Sequence, residues 1–223
     1  EGKPVQLYVC VAHPSKVIDG ADHTHGGGTT VLRGLAMNYW SQGADGMYTF
    51  NWFPHSQPFQ IPLLKEIGDP LLLTTKDKIF PADCSEFGAG AKYGHPGSPR
   101  YHNWMFVSLP VTLREVWNAN SFTVIPVDVA DDLGSPSAEK VKSLRLWAQL
   151  KNLVSGDVVD FQINGQPLES MPEPEEGGVI KLSLSPAQLK VGRNEVGVRL
   201  NTRGAQAETD IILAAVEIHI DYE

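Results

Sequence analysis

Three side chains that can bind a metal ion lie close together near the N-terminus: Asp22, His23 and His25, in an Asp-His-x-His cluster. Imidazole nitrogens and carboxylate oxygens are ligands for Zn²⁺ and for other divalent metals. Three consecutive glycines follow at 26–28, and such a loop does not hold its ligands in a fixed geometry. The cluster therefore predicts either a metal site or an exposed polar loop.

A second group of oxygen ligands lies in the C-terminal half. Asp128, Asp131 and Asp132 lie in the segment Val-Asp-Val-Ala-Asp-Asp-Leu-Gly. Carboxylates bind Ca²⁺, but this spacing is not that of a calcium-binding loop. A solvated turn is the alternative interpretation.

Other motifs that bind cofactors or carry nucleophiles are absent from the sequence. It contains no Gly-x-Ser-x-Gly motif, no P-loop and no zinc ribbon. The glycines at 26–28 lack the spacing of a dinucleotide fingerprint, and no acidic partner follows at the required distance. We therefore expect no cofactor.

Composition and charge exclude several classes of function. The 223 residues carry a formal net charge of −8 without any basic block, which argues against a nucleic-acid surface. No apolar run reaches the roughly 18 residues that a membrane span needs, and the first ten residues do not resemble a signal peptide. The chain begins with Glu1, which predicts either a processed protein or a piece of a longer one. Cys10 and Cys84 are expected to be free thiols or a disulfide, and they indicate no compartment.

Secondary structure that could position these groups follows two patterns along the chain. Residues 5–12 form a continuous apolar run, typical of a strand buried on both faces. A helix is predicted from Thr29 or Thr30 to a C-cap at Gly43, followed by a strand at 46–53. This βαβ order implies parallel strands, and further helical stretches are predicted at 61–67 and 70–80.

After residue 109 the pattern changes to short alternating segments. Seven strands are predicted, at 106–114, 121–127, 143–150, 158–163, 179–184, 195–200 and 211–222. Alternation of apolar and polar residues indicates that one face is buried and the other is wet. Asn164-Gly165 between two such segments is a strong hairpin signal. The pattern predicts an antiparallel β-sandwich or jelly roll.

Two stretches resemble known families. The first pairs Asn164-Gly165 with a later Leu-x-x-Gly-x-Asn-x-Val phrase at 189–196, and it resembles galactose-binding-like β-sandwich domains. The second is Leu-Ala-Met-Asn-Tyr-Trp-Ser-Gln-Gly-Ala-Asp-Gly at 35–46 with the strand after it, which resembles the seventh helix and eighth strand of a glycoside-hydrolase-like TIM barrel. Together they imply an α+β chain, with a partial (β/α) barrel-like βαβα segment at 1–85, a linker at 86–108 and a sandwich at 109–223. About six barrel strands would be missing upstream.

The barrel resemblance implies a substrate site at the carboxyl ends of its strands. The residues there are His13, Asn51, Trp52, Phe53 and His55. An indole face can stack on a sugar ring and its N–H can donate to a hydroxyl group, so Trp52 is the first candidate. The alternatives for Trp52 are packing that fills the barrel mouth and packing under the linker.

Paired carboxylates, which glycosidic hydrolysis requires, are not evident in the N-terminal part. The candidates there are Asp19, Asp22, Asp45, Glu66, Asp69, Asp77 and Asp83. Only Asp19 and Asp22 follow a predicted strand on its carboxyl side, and both lie in one loop. The catalytic residues are therefore unknown, and the sequence leaves open whether the chain is an enzyme.

Three functional hypotheses remain. The first is that the chain is the C-terminal portion of a carbohydrate-active, glycoside-hydrolase-like protein and does not catalyse alone. The second is a stand-alone carbohydrate-binding sandwich that uses Trp117 or Trp147. The third is a structural assembly module. A partial barrel exposes strand edges and an apolar helix face, so we expect a homo-oligomer or packing against a missing barrel part. A carbohydrate ligand is the expected partner, and a secreted or periplasmic location is compatible with it.

Overall fold

The N-terminal part of the chain is a small parallel α/β unit. A computed structural model describes residues 6–10, 28–49, 60–82, 108–114, 121–134 and 136–223. Strand β1 (Tyr8–Cys10) is followed by helix α1 (Gly28–Ser41), strand β2 (Gly46–Tyr48) and helices α2 (Gln60–Ile67) and α3 (Pro70–Leu73). Strands β1 and β2 pair in parallel, which confirms the βαβ prediction.

Helix α1 packs on α2 through a small apolar cluster. Leu32 and Ala36 of α1 lie against Leu63 and Ile67 of α2, and all four side chains are buried. At one side of this contact, the guanidinium of Arg33 donates two hydrogen bonds to the Glu66 carboxylate, at 2.6 and 3.2 Å. The helix begins at Gly28, one residue before the predicted caps, and Gly43 follows its end at a φ of 91°.

The rest of the chain forms two antiparallel sheets. Strands β3 to β11 are Lys78–Pro81, Val111–Leu113, Thr123–Val129, Val141–Lys151, Val158–Ile163, Gln166–Pro167, Val179–Ser183, Gly192–Thr202 and Ile211–Tyr222. One sheet has the order β5-β10-β7-β8, and the other has the order β3-β11-β6-β9 with β4 also paired to β11. A single buried cluster contains alternate residues of both sheets, including Ile125, Val196, Leu146 and Ile218. The prediction of two antiparallel sheets packed around one core, a β-sandwich, is therefore confirmed.

The two motifs behind the sandwich resemblance meet in space. Asn164 and Gly165 form the β7–β8 turn, with φ values of 51° and 79° that a two-residue hairpin of this kind requires. The Asn164 amide donates to Oδ1 of the fully buried Asn194 at 2.8 Å, and Asn194 in turn donates to the backbone oxygens of Lys190 and Gly192. One hydrogen-bonded network therefore holds both turns.

The predicted helical stretch over residues 70–80 is wrong in its second half. Helix α3 ends at Leu73 after a single turn capped by the Asp69 side chain, and Lys78–Pro81 pairs antiparallel with β11. The hydrogen bonds of β11, distant in sequence, override the local pattern. Strand β3 thus lies inside the first predicted unit but forms an edge of the sandwich, while the division at residue 85 stays a prediction.

Helix α1 lies directly on strand β3. A methyl group on Gly34 would stand 2.2 Å from the backbone oxygen of Ile79, so only glycine permits this approach. The Asn38 amide also donates to the backbone oxygen of Asp128 on β5, at 2.8 Å. The α/β unit is therefore attached to the sandwich through both sheets. No helix in the described ranges is long and apolar enough to cross a membrane.

Candidate functional site

The residues of the predicted barrel-mouth site and of the predicted Asp-His-x-His metal site all lie outside the described part of the chain. These residues are His13, Asn51, Trp52, Phe53 and His55 for the substrate and Asp22, His23 and His25 for the metal. The side chains of Cys10 and Cys84 and the whole of Trp117 fall outside it as well. The barrel-mouth site, the metal site and the state of the thiols therefore stay predictions.

The aspartates at 128–132 do not form a cation site. Asp128 and Asp132 are exposed, and Asp132 accepts a hydrogen bond from the Gly134 amide within the turn. Asp131 instead points inward and is almost fully buried. Among the residues that the structure describes, no three His, Cys, Asp or Glu side chains are grouped to hold a metal ion.

Asp131 belongs to a buried group that joins strands β3 and β11 to the turn after β5. Its Oδ2 lies 3.0 Å from Nζ of Lys78 on β3 and accepts a hydrogen bond of 2.6 Å from the Tyr222 hydroxyl on β11. The Lys78 ammonium also lies 4.6 Å from the centre of the Tyr222 ring and donates to the backbone oxygen of Lys76. We call Lys78, Asp131 and Tyr222 the buried joint, because β3 connects it to the helical unit.

Burial dominates the ionisation of the buried joint. It raises the pKa of Asp131 and lowers the pKa of Lys78, while their mutual attraction opposes both shifts. Burial and the neighbouring Asp131 charge together raise the pKa of Tyr222. Oδ1 of Asp131 has no hydrogen-bond partner. Because solvent and substrate cannot reach this group, its role is to stabilise the packing of β3 against the sandwich and not to act as a catalytic base.

Trp147, a predicted sugar platform, has both ring faces covered. The His219 imidazole stacks on the indole with centroids 4.0 Å apart and planes 15° apart. Nζ of Lys181, on the strand at the other side of β6, lies 4.1 Å from the indole centroid. Trp147 is 8% exposed and its Nε1 has no hydrogen-bond partner. No ring face is left for a pyranose, so packing is the role of Trp147.

Charged side chains surround Trp147 on the outer face of the β11-β6-β9 sheet. Nε2 of His219 lies 2.7 Å from the carboxylate of the fully buried Glu217. Arg145 and the Ser143 hydroxyl both donate to Asp221, at 2.5 Å each. Positive and negative groups alternate across neighbouring strands, so this face is internally compensated.

A concave site lies at one end of the sandwich. It is a cleft of about 880 Å³ between two segments, residues 150–157 at and beyond the end of β6 and residues 171–178 before β9. We call it the loop-end cleft. Apolar groups from Leu153, Val154, Met171, Pro172 and Pro174 share its walls with Asn152, Ser155 and main-chain atoms. A volume of this size falls in the range of small-molecule sites.

The first wall of the cleft is held by Asp157. The carboxylate, 1% exposed, accepts hydrogen bonds of 2.7 Å from the amides of Val154 and Gly204 and pairs with Arg203. Arg203 also donates to the backbone oxygens of Asn152 and Thr209. Burial alone would raise the pKa of Asp157, but the amide and guanidinium hydrogen bonds outweigh it and lower that pKa. The loop is therefore preorganised.

The second wall is an extended, proline-containing segment. Gly178 has a φ of 76°, and a methyl group there would stand 1.9 Å from the backbone oxygen of Leu150. This close approach brings the segment against β6. Glu175 at its end pairs with Lys181 at 2.6 Å. The sequence signals for this site were the glycine pair at 177–178 and the Pro-Glu-Pro-Glu repeat, but neither indicated which strand lies opposite.

Comparisons with known proteins give little about function. No protein-family model matches the chain, and no curated protein matches it. Among solved structures, the chain resembles a β-porphyranase of glycoside hydrolase family 86 from the human gut bacterium Bacteroides plebeius, at 14% sequence identity and a TM-score of 0.38. The match covers 66% of this chain and 21% of that enzyme, so the chain spans about a fifth of its length.

Proposed function

We propose that this chain is the noncatalytic C-terminal portion of a carbohydrate-active, glycoside-hydrolase-like protein. In this proposal β1, α1, β2 and α2 belong to a larger parallel (β/α) barrel, and the sandwich is a galactose-binding-like module fused to it. The sequence resemblance at residues 35–53 suggests the barrel, and the motifs around Asn164 and Asn194 suggest the module.

The observation that supports the proposal best is the two-stranded parallel sheet. Strands β1 and β2 pair only with each other in the described part of the chain. Leu7, Tyr8 and Tyr48 on or beside these strands are each more than half exposed. Parallel strands normally lie in larger sheets whose two faces are covered by helices. A sheet of this kind is expected to continue into further strands.

The helices carry a second exposed apolar surface. Ile61 and Leu64 of α2 and Leu71 and Leu72 of α3 are between 40% and 77% exposed. The opposite side of α2 is already buried against α1. We propose that this helix surface, Ile61 to Leu72, is covered in the working protein by the missing barrel part or by a second copy of the chain.

The attachment of the two parts favours a scaffold role for the sandwich. Strand β3 is an edge strand of one sheet, and the buried joint connects it to β11 and to the turn that follows β5. An accessory module on a loose linker would not require a shared sheet edge. The sandwich is therefore proposed to hold the α/β unit in one orientation.

The test measures self-association and hydrolytic activity of the full 223-residue chain. We expect concentration-dependent association in sedimentation velocity, strong binding of an apolar fluorescent dye, and no hydrolysis of a panel of polysaccharides. The double variant Leu71→Ser/Leu72→Ser should weaken association and dye binding, whereas Val191→Ser, which changes an equally exposed valine on the sandwich, should not. Hydrolysis by the chain alone would overturn the noncatalytic role. A monomer that binds no dye would overturn the covered surface.

The barrel-mouth prediction has its own test. A printed glycan array is probed with wild type and Trp52→Ala, and sugar binding that depends on Trp52 would support stacking at the mouth. Binding that is unchanged by this substitution would remove the mouth as the sugar site.

A further inference from the structure

We infer that the buried joint is a covalent modification site, at which Lys78 and Asp131 form an intramolecular amide bond. The ion pair described above is the reactant, and the amide is its product. This goes beyond the proposed function, because it concerns a cross-link inside the fold and not an activity or a ligand. The inference rests on the contact between the two groups, on their isolation from water and on the hydroxyl group beside the carboxyl.

The two reacting groups are already in contact. Nζ of Lys78 lies 3.0 Å from Oδ2 of Asp131. The distance from Nζ to the carboxyl carbon exceeds this value by no more than one carbon–oxygen bond length. The pair is therefore close to the separation of about 3–3.5 Å at which reacting atoms are held before attack. Nζ also donates to the backbone oxygen of Lys76 at 2.8 Å, which holds the lysine side chain in place.

The surroundings favour the uncharged forms of both groups, which are the reactive ones. The side chain of Lys78 is 0% exposed and that of Asp131 is 3% exposed. Burial outweighs their mutual attraction, so the pKa of Lys78 is lowered and the pKa of Asp131 is raised. Passage of one proton from the ammonium to the carboxylate leaves an amine and a carboxylic acid. The amine is a nucleophile, and the acid, unlike the carboxylate, accepts its attack.

The Tyr222 hydroxyl is placed to assist the attack. It donates a hydrogen bond of 2.6 Å to Oδ2 of Asp131. Negative charge develops on a carboxyl oxygen when an amine adds to the carbon, and a donor aimed at that oxygen stabilises the charge. Burial and the neighbouring Asp131 raise the pKa of Tyr222, so its hydroxyl keeps the proton that it donates. Oδ1 of Asp131 has no hydrogen-bond partner to retain it, and it is the oxygen that departs.

The reaction is a condensation that needs no co-reactant. The lone pair of the Lys78 amine forms a bond to the carboxyl carbon of Asp131, and one carbon–oxygen bond of that carboxyl breaks. The departing oxygen carries the acid proton and takes one proton from the amine nitrogen, so a single water molecule leaves. Nothing is oxidised or reduced. The product replaces two buried charges by a neutral amide and joins β3 covalently to the turn after β5.

The experiment is mass spectrometry of the full 223-residue chain after denaturation. One sample is kept folded for several days and a parallel sample is kept in urea. We expect the folded chain to become lighter than its sequence mass by one water molecule and the urea sample to stay unchanged. Cyclisation of Glu1 would cause the same loss of mass, so a tryptic digest must locate it. The expected digest contains a branched peptide that joins Lys78 to Asp131, with no cleavage after Lys78.

Matched variants identify the nucleophile and the hydrogen-bond donor. Lys78→Arg removes the amine but keeps a cation, and it should retain the sequence mass. Lys76→Arg makes the same change at a nearby lysine whose side chain is 45% exposed, and it should lose water as the wild type does. Tyr222→Phe should form the bond about a hundredfold more slowly. The same rate as in the wild type would overturn the role assigned to Tyr222.

The wild type alone decides the inference, whether or not each variant folds. Full sequence mass in the folded sample, or a loss of water located at residues other than Lys78 and Asp131, would overturn it. A branched peptide that still forms in Lys78→Arg would do the same. Self-association and hydrolysis are measured separately from the mass, so failure here leaves the proposed function standing.

Discussion

Removal of the cation from the buried joint is the sharpest test of how the helical unit is attached to the sandwich. Lys78→Met keeps the length and apolar stem of the side chain but deletes the ammonium. The side chain of Lys78 is 0% exposed and that of Asp131 is 3% exposed. The substitution therefore leaves a carboxylate in the interior with the Tyr222 hydroxyl as its remaining partner and with Oδ1 still unbonded.

The expected loss is large because one charge stays buried without its partner. Breaking a buried ion pair from one side typically costs about 3–5 kcal/mol of unfolding free energy. Replacement of all polar members by apolar groups of similar size is often neutral or stabilising. We therefore expect Lys78→Met to lower stability by about 3–5 kcal/mol, and Lys78→Met/Asp131→Leu/Tyr222→Phe to recover most of this loss.

The assay is urea unfolding at 25 °C, followed by fluorescence and far-UV circular dichroism at neutral and at acidic pH. Burial places the folded-state pKa of Asp131 above its unfolded value. A carboxyl group of this kind adds stability below the unfolded pKa and loses that contribution as the pH rises through the folded pKa. Without Lys78 this folded pKa rises further. The deficit of Lys78→Met should therefore be smaller at about pH 4 than at pH 7.

A nearby lysine supplies the control. The side chain of Lys76 is 45% exposed, and its Nζ lies 3.8 Å from the Glu66 carboxylate. Lys76→Met should therefore lower the unfolding free energy by less than about 1 kcal/mol. Two results would refute the reasoning. One is a Lys78→Met loss no larger than that of Lys76→Met, and the other is a triple variant as unstable as Lys78→Met alone.

Four further predictions test other buried or closely packed side chains and glycines of the sandwich. Asp157→Asn should lower the unfolding free energy by about 1–3 kcal/mol at pH 7 in urea unfolding, because the buried side chain loses the charge that accepts from two main-chain amides and pairs with Arg203. Because the folded pKa of Asp157 is lowered, its contribution is present above about pH 4 and is lost as the pH falls through that pKa, and the variant should lack this acid dependence. Gly178→Ala should lower stability in thermal unfolding clearly more than Gly165→Ala. Both glycines have a positive φ, which costs alanine about 1–2 kcal/mol, but only at Gly178 would the methyl group meet a backbone oxygen. Equal losses of stability would argue against the close approach. Asn194→Ala should cost about 3 kcal/mol, because the bonds to Asn164, Lys190 and Gly192 are lost in the interior, whereas a loss below 1 kcal/mol would mean that solvent replaces them. Trp147→Ala should lower stability by about 3–5 kcal/mol and leave every glycan-array signal unchanged; loss of a sugar signal without loss of stability would contradict its packing role.

The secondary structure of the sandwich was largely predictable from local pattern. The strands at 158–163 and 211–222 have the bounds that alternation predicts, and the Asn164-Gly165 turn has the dihedral angles that its residue types favour. The parallel pairing of β1 and β2 also followed from the strand-helix-strand order. These features depend on side-chain periodicity and on backbone preferences of neighbouring residues, and both are written in the sequence.

The placement of charges was not predictable in the same way. Asp131 looks like its exposed neighbours Asp128 and Asp132 in the sequence, yet it alone turns inward to Lys78. In the sequence Trp147 fits either a sugar platform or an at least half-buried packing position, and the positions of His219 and Lys181 on neighbouring strands decide for packing. The loop-end cleft likewise has walls that are distant in sequence, and the close approach of Gly178 to Leu150 brings one of them against β6.

The sequence by itself determined an antiparallel sandwich preceded by a parallel βαβ unit, because periodicity and turn chemistry are local properties. Only the tertiary structure decided that Lys78–Pro81 forms a strand and not a helix, since its partner is β11, more than a hundred residues away along the chain. It also decided which of the charged residues are buried and paired. Such pairs form when segments that are far apart in sequence are brought together in the fold, and a local sequence pattern does not indicate which segments will meet.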